Sequence, residues 1–225
     1  MNNLLVRTIL GFLFLLLCLG LALFIPAGSL RFWQAWLYLA VFAGCTILIT
    51  AYLMKYDRDL LAGRVKAGPV AETQRSQQII QGFASLFFIA VYIVAGLDYR
   101  FGWSSLPPVV SLAADAIVAL GFFIVFLVFR ENSFTHAVIE VSAEQRVITT
   151  GPYRLVRHPM YSSALLLMLF TGVALGSWVA VPFAIPLALV IAVRLLDEEK
   201  FLSANLSGYS DYCQKVRYHL IPYVW

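Results

Sequence analysis

The stretch Gly151-Pro152-Tyr153-Arg154-Leu155-Val156-Arg157-His158-Pro159-Met160-Tyr161 sets two guanidinium groups, an imidazole and a phenol between prolines, with a second phenol at Tyr161, immediately ahead of an apolar run. Pro159 suits the first position of a helix, where its missing N–H costs nothing and its fixed φ starts the turn. The residue before it, His158, is thereby pushed towards an extended conformation. With Gly151-Pro152 at the other end, the loop is stiff and should hold Arg154, Arg157 and His158 near the positive end of a helix, a setting for a carboxylate or phosphate. A second chemical element is Asp197-Glu198-Glu199, a run of three acidic residues after a later apolar segment. Neighbouring helical residues point about 100° apart, so one glutamate can face a cleft while the other lines its edge. A ligand carrying both negative and positive groups would suit the two elements together. Each also has an ordinary reading: Arg154 as a headgroup anchor, His158 as an interfacial hydrogen-bonded histidine, and the glutamates as a solvated helix end.

The elements that must position these groups are hydrophobic helices. Of 225 residues, 61% are hydrophobic and 12% charged, about half the charged content of a soluble domain. Several apolar windows of about 20 residues are long enough to cross a bilayer core, so the fold class is an all-α, multi-pass integral membrane protein. The net charge of +4 comes from basic residues spread between helices without aromatic interleaving, which argues against a nucleic-acid partner. Cys18, Cys45 and Cys213 lack metal-ligand spacing, and the first two read as small hydrophobes within apolar spans. The long apolar run after Arg7 has no convincing small-x-small cleavage site and reads as a retained first helix.

Six spans are expected. The first runs from about Leu4 to Ile25 and stops at Pro26-Ala27-Gly28-Ser29; the second runs from about Phe32 to Met54, with Trp33, Trp36 and Tyr38 at its interfacial start. A polar segment from Lys55 to Gln78 leads to the third, about Ile79 to Leu97, and after Trp103, Pro107 and Pro108 the fourth covers about Val109 to Phe129. If the fourth helix continues past the bilayer, Asn132, His136 and Glu140 share one face; alternatively, the segment with Val138, Ile139, Val141, Val147 and Ile148 is extended at the interface. The fifth, about Met160 to Leu175, and the sixth, about Trp178 to Leu196, are separated only by Gly176-Ser177 and must form an antiparallel hairpin. Pro182 and Pro186 then imply a kink or widened gap in the sixth. Asp115, costly in lipid, should face protein or water and carries no catalytic role. The chain is expected to be a single membrane domain, with four helices in 1–129 and a distinct region with a helical tail in 130–225.

The basic residues give this arrangement a direction. With the N-terminus in the cytoplasm, one side receives Arg7, Lys55, Arg58, Arg64, Lys66, Arg75, Arg130, Arg146, Arg154, Arg157, Arg194, Lys200, Lys215 and Arg217, which is fourteen of the 16 Lys and Arg, and the other side keeps Arg31 and Arg100. That bias places the basic loop, the acidic run and both termini on the cytoplasmic face, of a bacterial inner membrane or endoplasmic reticulum.

The loop resembles the signature of the isoprenylcysteine carboxyl methyltransferase family and its phospholipid methyltransferase relatives. Arg194-x-x-x-Glu198-Glu199-x-x-Leu202, Tyr209-x-x-Tyr212-x-x-x-Val216 and Pro222 are similar to the second half of that pattern, and Arg130-x-Asn132-x-Phe134 and the run into Val147 also fit. The resemblance covers about Arg130 to Pro222; the first three helices match only in hydrophobicity. It implies an S-adenosylmethionine-dependent methyltransferase whose cofactor is bound on the cytoplasmic side. By the same resemblance Arg157, His158, Pro159, Tyr161, Glu198 and Glu199 take cofactor-binding roles, with Tyr209 and Tyr212 closing the pocket. Arg194 would hold the cofactor carboxylate or the acidic group of the substrate, so Arg194 and His158 are the catalytic candidates. Ser163 stands where the family usually has glycine.

Methyl transfer from a sulfonium to a carboxylate needs neither metal nor base, only in-line geometry and exclusion of water. An amine acceptor would need a proton route, for which His158, His136 and Glu140 are candidates. The implied partners are the bilayer and a lipid or prenylated acceptor, such as a prenylcysteine-type carboxylate or a phospholipid amine. A sterol-type reductase using a nicotinamide cofactor and a membrane scaffold gripping headgroups are the competing readings.

Overall fold

The computed structural model describes residues 2–65, 75–135 and 146–225. His136 and Glu140 lie outside them. The described residues form eight α-helices and no strand: α1 (Asn2–Ala27), α2 (Trp33–Tyr56), α3 (Arg58–Val65), α4 (Arg75–Phe101), α5 (Pro108–Glu131), α6 (Pro159–Ala174), α7 (Ala184–Asn205) and α8 (Tyr209–Lys215). Single 3₁₀ turns occur at Gly151–Arg154 and Val181–Phe183. Four helices, α1, α2, α4 and α5, are long and apolar enough to cross a membrane. Large apolar side chains on them remain exposed, among them Leu10, Phe14, Leu48, Leu86 and Phe123, as a lipid-facing surface requires. Trp33, Trp36 and Trp103 are exposed together at the α2-start and α4-end level, a suitable aromatic belt.

The apolar core joins Leu19 and Leu23 of α1, Tyr38 of α2, Val91 and Tyr92 of α4, Val118 of α5 and Val173 of α6. Because lipid supplies no hydrophobic force between helices, close backbone approach and polar contacts hold such a bundle. A Cβ on Gly96 of α4 would lie 2.5 Å from the Leu23 carbonyl oxygen of α1, so any side chain there would push the pair apart. The hydroxyl of Tyr38 meets those of Tyr92 at 2.8 Å and Thr171 at 3.0 Å, tying α2, α4 and α6 together. Asp115 is turned into the protein, 4% exposed, as the cost of a carboxylate in lipid demands.

The predicted hairpin is present with different boundaries. α6 begins at Pro159, as the proline suggested, packs chiefly on α5 and ends beside the start of that helix, where Ser111 Oγ donates to the Val173 carbonyl. With 16 residues it is only about 24 Å long, short of a full bilayer core. The expected sixth helix does not start at Trp178. The chain first makes a connection containing the 3₁₀ turn, and α7 begins at Ala184. Pro182 lies in that turn and Pro186 in the first helical turn, where N–H groups have no intrahelical acceptor anyway. They therefore set where the helix starts rather than kinking it. Of the two alternatives for the end of the fourth helix, continuation through Asn132 is not what the chain adopts: α5 stops at Glu131, Asn132 is extended, and its side-chain oxygen accepts from the Phe134 N–H. The polar segment expected from Lys55 to Gln78 is partly helical, containing α3 and the start of α4.

Candidate functional site

The site is built where the first turn of α6 meets the last turns of α7. Extended backbone before α6 pairs with the tail after α8: the Arg157 N–H donates to the Tyr218 carbonyl at 2.9 Å and the His158 N–H to the His219 carbonyl at 3.0 Å. Ser162 Oγ donates to the Leu220 carbonyl at 2.6 Å. These bonds give the unhelical residues around Pro159 the partners that secondary structure would otherwise supply. At the far end of the loop, Gly151 adopts φ +56 with its Cα against the Glu131 side chain. Only glycine accepts both the dihedral and the contact, and the turn is fixed further by Thr150 Oγ1 donating to Glu131 at 2.7 Å.

Glu199 is the hub of the inner half. Arg157 Nη1 donates to both of its carboxylate oxygens, at 3.1 and 3.0 Å. His158 Nε2 and His219 Nδ1 each lie 3.0 Å from Oε1. The remaining Arg157 donors reach the Val216 and Arg217 carbonyls at 2.7 and 3.0 Å, so one guanidinium joins loop, helix and tail. Burial alone would raise the Glu199 pKa, but His158, Arg157 and His219 outweigh it and hold the carboxyl below its usual range. Adjacent Glu198 points elsewhere, accepting from Tyr161 Oη at 2.6 Å, while Arg194 Nε donates to that same phenol oxygen at 3.0 Å. The His158 and Tyr161 rings stack with centroids 5.7 Å apart. Two polar chains thus run side by side, one closed on Glu199 and one passing through Arg194, Tyr161 and Glu198.

The basic loop does not gather its cations on one external anion, as its sequence suggested. The anion that Arg157 and His158 meet is Glu199, whereas Arg154 is exposed on another face. Tyr209 Oη lies 3.5 Å from His158 Nε2, and burial keeps its phenol pKa far above the usual value. Tyr212 instead braces the loop, donating to the Tyr153 carbonyl at 2.8 Å. Asn132 Nδ2 donates to Tyr153 Oη at 2.9 Å, so the motif residue before the loop supports it. Ser163 is fully buried, with its hydroxyl bonded to the Pro159 carbonyl at 2.8 Å.

Two participants carried no role in the sequence reading. His219 closes on Glu199 from the tail, and its only signal was that the chain has 3 histidines. Arg64 of α3 places its guanidinium 5.1 Å from the Phe129 ring centroid and donates to the Thr135 carbonyl at 3.4 Å. Burial pushes its pKa down, as does the charge of Arg194, against the pull of Tyr161 and Tyr153. α3 therefore borders the site: Leu60 and Leu61 pack in one cluster with Val128, Phe129, Tyr153 and Met160.

Residues 109–207 match the family model described as phospholipid methyltransferase. Two proteins named probable protein-S-isoprenylcysteine O-methyltransferase, from Oryza sativa subsp. indica and subsp. japonica, are each 38% identical over 88 residues, covering 38% of this chain and 46% of theirs. The Delta(14)-sterol reductase of Mus musculus is 28% identical over 105 residues, 43% of this chain and 25% of that protein. The chain thus spans less than half the length of these relatives. The family match contains the loop, α6, Arg194 and both glutamates, and excludes Arg64, Tyr209, Tyr212 and His219. Residues 109–207 thus carry the phospholipid methyltransferase pattern, which bears out the family resemblance over the loop, Arg194, Glu198 and Glu199, while Tyr209, Tyr212, Val216 and Pro222 lie beyond the matched range.

Proposed function

We propose that this protein is an S-adenosylmethionine-dependent methyltransferase of the membrane that methylates a lipid-like acceptor at the α6/α7 corner. The observation that carries the reading is the chain Arg194–Tyr161–Glu198 beside the closed Arg157–Glu199–His158 network. The cofactor has a carboxylate, an ammonium and a sulfonium. The corner has matching groups: Glu198 Oε1 accepts no hydrogen bond among the described residues, Arg194 supplies a guanidinium, and Tyr161 links the two. The chemistry that S-adenosylmethionine supplies is a methyl group on a sulfonium, made electrophilic by that charge.

The residues then divide the work. Glu198 and Tyr161 bind the cationic end of the cofactor, and Arg194 holds its carboxylate or that of the acceptor. Glu199 and Arg157 keep Pro159 and the tail in place, which fixes where Tyr161 stands. His158, 6% exposed and under Tyr209, helps keep water from the reacting atoms and offers a nitrogen to an amine acceptor's proton. The acceptor's apolar part stays in the bilayer against α6 and α7, with its reactive group at the helix ends on the cytoplasmic side. A prenylcysteine-type carboxylate fits the positive charge of Arg194 and Arg64.

Equilibrium binding of labelled S-adenosylmethionine to the purified protein tests this, followed by mass spectrometry of lipid extracts incubated with protein and labelled cofactor. Saturable cofactor binding and a methylated lipid product are expected. A second reading, a sterol-type reductase, has support from the similarity to the mouse reductase; NADPH binding without S-adenosylmethionine binding would replace the first reading with it.

A further inference from the structure

On the outer side of the loop, Arg154, Lys215 and Arg217 line a shallow groove of about 200 Å³ together with Leu155, Pro222 and Tyr223. We propose that this groove binds the phosphate headgroup of an anionic phospholipid of the surrounding bilayer. The inference uses the membrane character of the chain and is independent of the methyl-transfer reading.

The charge is the first argument. Among the described residues no acidic side chain lines the groove, and its three cations are exposed with no ion pair or side-chain hydrogen bond to any of them. Arg157, which lies between the same loop and tail, shows the contrast, since all its donors are spent on Glu199 and tail carbonyls. Three unneutralised cations converging on one concavity repel one another, and an external phosphate relieves that repulsion.

The second argument is apolar. Leu155 is 64% and Tyr223 88% exposed in the lining of the groove, an unfavourable arrangement in water and an ordinary one at a bilayer surface, where amphipathic segments place basic and aromatic groups together. The third is position. Ser162 fastens the tail at Leu220 to the first turn of α6, and the Leu220 and Ile221 N–H groups, both 3.0 Å from the Trp225 carbonyl, fold the following residues back. The groove therefore lies at the end of the bundle where α5 stops and α6 starts. Its volume is below the roughly 300–1,000 Å³ of small-molecule pockets. It suits a headgroup phosphate whose acyl chains stay outside, and is too small for a whole cofactor.

Native mass spectrometry of the purified full chain, equilibrated in mixed micelles of phosphatidylglycerol and phosphatidylcholine, tests the assignment. The unmodified protein should retain phosphatidylglycerol in preference, and R154Q/K215Q/R217Q should lower that preference by roughly tenfold or more. R7Q/R75Q, which removes cations elsewhere, should leave it unchanged, with thermal melting reporting that each variant is folded. In the unmodified protein the preference should also weaken as salt rises, a readout that decides the matter even if the triple variant fails to fold. A preference that survives the triple substitution, ignores salt, or is abolished by millimolar inorganic phosphate as effectively as by competing lipid would overturn the headgroup site.

Discussion

Two carboxylate clusters sit at opposite ends of α6, one buried and one partly buried, and they differ in the donors that meet them. At the α4 end, Asp98 is 2% exposed and accepts from the Ser104 N–H at 2.7 Å, from Ser104 Oγ at 2.6 Å and from Ser177 Oγ. Both hydroxyls are used again as acceptors, by the Trp178 and Ala180 N–H groups at 3.0 Å each. All these donors are neutral and lie close along the chain or in the α6/α7 connection, so the cluster is a saturated corner brace. At the other end, Glu199 is met by Arg157 and two histidines, and Glu198 by the Tyr161 phenol, which itself accepts from Arg194, so the partners are drawn from loop, helix and tail. Glu198 still has an oxygen without a hydrogen bond among the described residues. Buried polar networks rigidify when fully satisfied; the residual acceptor and the charged donors are what support the proposal that the α6/α7 corner takes a ligand.

The comparison can be broken by substitution. Arg157→Met leaves Glu199 without its guanidinium and the tail carbonyls without donors. The expected loss is about 3–5 kcal/mol, read by chemical denaturation, with faster hydrogen exchange around 216–220. Glu198→Gln should weaken S-adenosylmethionine binding by about 10–100-fold, the range expected for losing a hydrogen bond to a charged group, while leaving the melting temperature nearly unchanged. Equal losses of stability and binding would make Glu198 a brace like Asp98. Ser177→Ala removes one neutral donor from the Asp98 brace and should cost about 1 kcal/mol, with no change in cofactor affinity once the protein is folded.

The smallest expected effect concerns pH. A carboxylate held below its unfolded pKa, about 4.3 for glutamate, stabilises the fold above that value, and this contribution disappears as pH falls through the folded pKa. Stability measured from pH 7 downward should therefore decline below about pH 4.3, and Glu199→Gln should flatten that decline. Asp98→Asn serves as the comparison variant, because the donors to Asp98 are hydroxyls and a backbone amide rather than a guanidinium and imidazoles.

Much of the frame was legible in the sequence because its causes are local. Apolar run length identified the long helices, Pro159 marked the start of α6, and the spacing of adjacent glutamates required that they diverge, as Glu198 and Glu199 do. Local rules failed where the chain could satisfy its backbone in more than one way. Pro182 and Pro186 were compatible with a kinked helix or a late start, and the 3₁₀ turn at Val181–Phe183 decided for the late start. Asn132 could continue a helix or cap its end, and capping left its amide free for Tyr153.

The sequence by itself determined a helical membrane chain with a stiff basic loop before one helix and an acidic run on the next, since hydrophobic length, proline geometry and helical periodicity are properties of neighbouring residues. Only the tertiary structure decided which charges meet. Arg157 turned inward to Glu199, Arg154 outward beside Lys215 and Arg217, and His219 and Arg64 arrived from the tail and from α3. The physical reason is that a carboxylate withdrawn from water must be compensated by whatever donors the packing brings within about 3 Å, and those that meet Glu199 came from residues as far as 42 positions away in sequence.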